Sequence, residues 1–310
     1  MFFTTQNMAQ IKKSDVKNLV FQGVGTRGVA LAVALQAITD NGNFNNIKRV
    51  SGVSSGSIIV LLYALGYSSE QMKEIFFEIN FGSLEESPSI FRIIKKFGLY
   101  KGKRFEKLLK KYISNSKLNL KEDATFSDLH KKSNTELFIF AANLNTYSIR
   151  ELSYRKTPKV KLWESVRASV SIPLVFPAWK FTQGIEDNHL YVDGGIIYDF
   201  PINFFDTNPF NNTENPTNNK TLAFTIDNLA LDRKELTLDY GSPFKDYLNA
   251  IYRTIVDGQL SVIELNPNES DRIVVIEIDG DTKFSLNNTQ KKDLYDRGYK
   301  YTNLFLDKKE

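Results

Sequence analysis

Twice within its first 66 residues the chain passes from a short apolar segment, through glycines, into a longer segment almost free of charge. The first passage is "NLVFQ" (18–22), "GVGTRG" (23–28) and "VALAVALQAI" (29–38). The second is "IKRVSGVS" (47–54) followed by "SGSIIVLLYALG" (55–66). A helix apolar on every side has to be buried. Strands alternating with buried helices predict an α/β chain whose parallel sheet is covered by helices. "SSEQMKEIFFEI" (68–79) opens with serine and carries Glu70, a helix start. By the same patterning "TELFIFAANLNT" (135–146), "KTLAFTIDN" (220–228) and "DRIVVIEID" (271–279) are further strands, and "FNNTENPTNN" (210–219) is a polar loop. No repeat or break in composition divides the 310 residues.

Composition narrows the chemistry. With 42% hydrophobic and 25% charged residues the chain reads as a soluble globular protein. A net charge of +4 is too small to argue for nucleic acid. There is no cysteine, which excludes disulfides, thiol catalysis and cysteine-based zinc sites. The two histidines, His130 and His189, have no metal-ligand spacing. The run Ile58–Leu65 is far short of the roughly 20 residues of a membrane span. The opening "MFFTTQNMAQIKKSDVK" lacks a signal peptide's apolar core and cleavage site. The expectation is a cytoplasmic protein, or one exported without a cleaved leader, that can still sit on a membrane surface.

Gly23-Val24-Gly25-Thr26-Arg27-Gly28 fits G-x-G-x-x-G between strand and helix. One reading is a dinucleotide turn, which calls for an acidic residue ending the second strand; here that strand ends at Ser54. A second is an oxyanion hole of backbone N–H groups, aided by the helix dipole. A third is a plain strand-to-helix turn. Gly52-Val53-Ser54-Ser55-Gly56 is G-x-S-x-G at the next such junction. A nucleophile elbow needs small residues two before and two after the serine, and would lift Ser54 clear of the sheet. The alternative is a serine capping a buried helix. Both motifs belong at the same end of neighbouring parallel strands, where open α/β sheets carry their sites.

A Ser-His-Asp hydrolase of the α/β-hydrolase type has its histidine towards the C-terminus, and none follows His189. His130 sits in the charged stretch "FSDLHKKS" and His189 in a loop, "DNHLYVDGG". If Ser54 is activated, a desolvated carboxylate can take its proton directly. Asp193 is the best candidate, because it ends the strand-like "HLYV" and Gly194 and Gly195 allow a tight turn after it. "DGG" is also a common simple turn.

These stretches resemble the patatin-like phospholipases. "GVGTRG", "GVSSG" and "DGG" occur in that order, with "RASVSIPLVFPAW" (167–179) just upstream of "YVDGG". "YKGKRFEKLL", "ATFSDL" and the late "FSLNNTQKKDLYDRGY" extend the likeness from about residue 18 to about 305. The resemblance implies a three-layer α/β/α fold with a mainly parallel central sheet, formed by residues 18–310 as one catalytic domain behind an extension at 1–17. It implies Ser54 as nucleophile, Asp193 as base, and an oxyanion hole in Gly23–Gly25, chiefly the N–H groups of Val24 and Gly25. Arg27 would hold a lipid phosphate or brace the turn, with Gly28, Gly52, Gly56, Gly194 and Gly195 in support. It implies an acyl-lipid substrate and neither a metal nor an organic cofactor. The family usually has three consecutive glycines where this chain has Gly23-Val24-Gly25. A positive φ at Val24 would strain a β-branched residue. Alternatively, the chain is a weak or inactive member of the fold that docks on membranes or on another protein, and a protein activator is a further expectation.

Residues 92–111, "RIIKKFGLYKGKRFEKLLKK", interleave nine basic residues with apolar ones against a lone Glu106. Such a sequence suits an anionic membrane surface, and 82–115 is a candidate lid or membrane-facing segment. The competing reading packs its apolar side on the core and solvates its lysines.

Overall fold

The computed structural model describes residues 13–42, 44–79, 83, 86–227, 239–264, 270–278 and 286–308. Residues 1–12 of the expected extension, and 82, 84 and 85 of the candidate lid, lie outside these. In chain order the elements are β1 (Asn18–Phe21), α1 (Gly28–Asn41), β2 (Arg49–Val53), α2 (Ser55–Ala64), α3 (Ser69–Glu78), α4 (Ile90–Lys96) and α5 (Lys103–Ser114). They continue with α6 (Phe126–His130), β3 (Glu136–Asn143), β4 (Ser148–Ser153), α7 (Leu162–Ser169), β5 (Tyr191–Asp193) and α8 (Gly195–Tyr198). The chain then forms β6 (Thr221–Asp227), α9 (Phe244–Glu264), β7 (Ile273–Glu277) and α10 (Asn288–Asp307).

The sheet runs β4–β3–β2–β1–β6–β7, with β5 also pairing β3. The pairs β1–β2, β1–β6, β2–β3 and β6–β7 are parallel, whereas β4 and β5 both pair antiparallel to β3. Side chains alternate between the two faces, as the pleat requires. Leu19 and Phe21, Leu137 and Ile139, and Leu222 and Phe224 enter the larger core, with α1, α2, α3, α5 and α7. Val20, Phe138, Phe140 and Ala223 face a smaller core made with Phe200, Ile202 and Phe205. The larger face carries full helices, with α1 lying against both α3 and α10. This is why α1 is apolar all round. The other face is thinner, covered by α8, a 3-10 turn at Ile202–Asp206 and Phe210, with α9 packed on α8.

The 82–115 segment divides in two. In α5 the residues Phe105, Leu109, Tyr112 and Ile113 are buried on the core and Lys103, Lys107 and Lys111 are exposed. Helix α4 is opposite in character: Ile90, Phe91 and Ile94 are 71–79% exposed. The chain leaving α4 is held by backbone pairing, Leu99 N–H to the Leu174 carbonyl and Tyr100 N–H to the Val175 carbonyl, each 2.9 Å.

Candidate active site

Strand β2 runs parallel to β3 and ends with Val53 opposite Phe140. Strand β5 runs the opposite way and ends with Asp193 opposite Ala141. The other edge of β3 is taken by β4 across Phe138–Asn143, so β2 and β5 share one edge and meet end to end. The residue after β2 and the last residue of β5 are thereby brought together: Ser54 Oγ donates to Asp193 Oδ2 over 2.7 Å.

Ser54 has φ 49° and ψ −124°, outside the regions a non-glycine residue ordinarily occupies. This is the sharp strand-to-helix elbow, and α2 begins at the next residue. Its tightness explains the flanking glycines. A Cβ on Gly52 would stand 2.5 Å from the carbonyl group of Gly56, and one on Gly56 would stand 2.4 Å from the Phe21 carbonyl oxygen. Ser54 stands at the N-cap position of α2, but its side chain makes no capping hydrogen bond. Its N–H instead donates to Ser169 Oγ at 2.9 Å, and that hydroxyl donates to the Phe140 carbonyl at 2.7 Å.

Asp193 is wholly buried. Burial pushes its carboxyl up to about 7, against hydrogen bonds from the Gly195 N–H, Ser54 and Tyr252 that pull it down. The Gly195 N–H reaches Oδ1 at 2.8 Å, and Gly194 is the N-cap of the short α8. The Asp193 N–H donates to the Ser171 carbonyl at 2.9 Å. Ser169 and Ser171, two apart at the end of α7, therefore each hold one partner of the pair. Behind them Arg167, also buried, donates to Ser171 Oγ at 2.6 Å and lies 3.6 Å from Glu106 on α5. A second buried carboxyl, Asp199, is raised well above the usual range by burial and accepts from Gln22 Nε2 at 2.8 Å.

The turn from β1 comes off beside this pair, because Phe21 is in register with Gly52. Val24 has φ −128°, so the β-branched residue is unstrained; the positive φ falls on Gly25, at 58°. The amides are not equivalent. The Gly23 N–H donates to the Asp199 carbonyl at 3.1 Å and the Val24 N–H to Ser55 Oγ at 3.0 Å. Among the described residues no acceptor is paired with the Gly25 N–H. Arg27 Nε donates to the Val24 carbonyl at 3.3 Å, which braces the turn, and Gly28 opens α1.

The histidines are elsewhere. His130 stacks on Tyr154 with ring centroids 3.7 Å apart, and His189 Nδ1 lies 3.0 Å from Asn143 Nδ2. The residues that sequence reasoning missed are Ser169, Ser171, Asp199 and Tyr252. Ser169 and Ser171 fall inside "RASVSIP", a stretch noticed only for its likeness to a family.

The patatin-like phospholipase family model matches residues 19–206. An uncharacterized protein of Acanthamoeba polyphaga mimivirus is 32% identical over 300 residues, covering 94% of each chain. A protein of Invertebrate iridescent virus 6 named as a probable lipid hydrolase is 28% identical over 62% of this chain and 64% of its own. Among solved structures, VipD of Legionella pneumophila superposes with a TM-score of 0.65 at 15% identity, over 95% of this chain and 67% of VipD. ExoU of Pseudomonas aeruginosa, solved in complex with SpcU, gives 0.52 at 16% identity over 95% of this chain and 52% of that one. These two share the fold: a mostly parallel sheet with its helices. With the family model covering more than half of its length, the chain belongs to the patatin-like phospholipases, a family of lipid hydrolases.

Proposed function

We propose that this chain hydrolyses the carboxylic esters of acyl lipids, in the manner of a phospholipase A or lysophospholipase, through a Ser54–Asp193 dyad. The observation that carries the reading is the direct 2.7 Å contact between a hydroxyl on a strained elbow and a buried carboxylate. With its carboxyl raised to about 7, Asp193 is a base matched to neutral pH. Asp193 takes the Ser54 proton as Oγ attacks the ester carbonyl. The new C–O bond forms and the carbonyl π pair moves to oxygen. The Gly25 N–H faces that oxyanion, joined by the Val24 N–H once Ser55 Oγ releases it, and the N-terminus of α2 adds its dipole. Collapse breaks the bond to the alcohol, which leaves with the proton from Asp193. Water then repeats the sequence on the acyl-serine and frees the fatty acid.

Helix α4 is the proposed membrane contact. Its exposed Ile90, Phe91 and Ile94 lie beside Lys95 and Lys96, a pairing of apolar and basic groups that suits an anionic bilayer surface. No described helix is long and apolar enough to cross a membrane.

A second reading is a catalytically weak or inactive member that works by docking. The engagement of the Gly23 and Val24 amides by Asp199 and Ser55 favours it. A lipid panel with wild type and Ser54→Ala separates the two. The expected result is fatty-acid release by wild type and none by a variant that melts like wild type. Equal rates in the two proteins would refute the dyad. Fluorophosphonate labelling of Ser54 without lipid turnover would favour the docking reading. A protein activator would register as a rate increase when cell extract is added to wild type but not to Ser54→Ala.

A further inference from the structure

We infer that Tyr252 of α9 is a third functional residue of the site, a positioning residue whose hydroxyl holds the Asp193 carboxylate over Ser54 and tunes it as a base. The inference rests on the dyad reading.

Three observations converge on it. The Tyr252 hydroxyl is hydrogen bonded to Asp193 and within hydrogen-bond reach of Ser54. It stands 2.8 Å from where a Cβ on Gly195 would lie, so the "DGG" turn is glycine at its third position partly to admit this phenol. Its helix is clamped in place. Gln259, seven residues on and on the same face of α9, donates to the Gly195 carbonyl at 2.7 Å and accepts from the Asp199 N–H at 3.0 Å.

The contact has chemical consequences. Asp193 gives Oδ2 to Ser54 and Oδ1 to the Gly195 N–H. The phenol supplies a further donor to a carboxylate that burial would otherwise drive higher. Tyr252 itself stays protonated, because burial and the neighbouring Asp193 and Asp199 raise it well above its usual value. Asp199 is the other titratable group facing this space, and Arg27 and Asp257 act in turn on Asp199. None of these can replace a donor aimed at Asp193.

The test is the rate of Ser54 labelling by a fluorophosphonate from pH 5 to 9, in wild type, Tyr252→Phe and Gln259→Met. Labelling reads the base directly and needs no native lipid. Loss of a hydrogen bond to a charged acceptor should move the acid limb upward by about one pH unit. Tyr252→Phe should then label about tenfold more slowly than wild type at pH 6 and nearly as fast at pH 9. Gln259→Met, which loosens α9 without touching the dyad, should shift the limb the same way by less, and it stands in if Tyr252→Phe does not fold. A wild-type profile, or a slowing equal at every pH, would overturn the inference. Wild type that does not label at all would overturn the dyad reading itself, a distinguishable failure.

Discussion

Asp193→Asn should destroy activity and stabilise the protein, by an amount that depends on pH. The carboxyl is fully buried and titrates near 7, against 3.8 for an unperturbed aspartate. About three units correspond to ~4 kcal/mol of preference for the protonated form in the fold. Because the folded value lies above the unfolded one, the native state binds this proton more tightly. That contribution is complete below about pH 3.8 and is lost as pH rises through about 7. The amide has nearly the same shape and never ionises, so the variant escapes the loss. Its stability relative to wild type should climb by ~1.4 kcal/mol per pH unit between about pH 4 and 7, then level off ~4 kcal/mol higher. Hydrogen bonds made by the amide itself add a constant, so the slope carries the test. Asp199 is present in both proteins, but the Asp193 charge also raises its carboxyl, so removing that charge adds to the gap in the same direction. Urea unfolding of the two proteins at pH 5, 6, 7 and 8 measures the difference, and parallel ester assays should show at least a ~10²-fold loss of rate. A stability gap that stays flat across this range would refute the argument that burial holds the Asp193 carboxyl near neutrality.

Two other perturbations probe the elbow and the surface. Gly56→Ala places a methyl 2.4 Å from the Phe21 carbonyl oxygen and 2.7 Å from that of Gln22, which forces α2 away from β1. It should cost about 1–3 kcal/mol or more and lower the rate, and a thermal melt like that of wild type would contradict the packing. Phe91→Asp, at a side chain 79% exposed, should leave the melting temperature and the hydrolysis of a soluble ester unchanged while weakening sedimentation with anionic liposomes. Unchanged sedimentation would remove α4 as the membrane contact.

Much of this architecture could be read from local pattern. The β1–α1–β2–α2 alternation is a matter of apolar period and glycine punctuation, both short-range. Ser54 was legible for a related reason: an elbow that brings Gly52 against the Gly56 carbonyl group leaves its steric requirement in the sequence. Asp193 could be read only from the strand-like "HLYV" before it and the two glycines after it. What brings it to Ser54 is its placement end to end with β2, and that depends on pairing with β3, a strand some 50 residues earlier. Ser169 and Ser171 were opaque because any serine near a helix end looks like a cap or a turn. Tyr252 left no local mark, since one tyrosine in an amphipathic helix looks like surface. The basic stretch at 92–111 supported two readings, and its average could not show that each belongs to a different helix. Phe105, Leu109, Tyr112 and Ile113 recur at helical spacing and are buried, whereas the apolar residues of α4 are not.

The shared edge of β3 has a consequence for what the molecule can tolerate. Ser54 and Asp193 are 139 positions apart, yet their separation is set by two adjacent rungs on one strand, Phe140 and Ala141. Chain length between α3 and β3, where α4 and α5 lie, does not enter that distance. Insertions around the exposed α4 could remodel what the protein touches while the Ser54 and Asp193 side chains kept their spacing, whereas α5 is fixed by its buried face and by Glu106 beside Arg167. One extra residue inside β3 at Ala141 would be far more damaging, since it would turn Asp193 to the opposite side of the sheet.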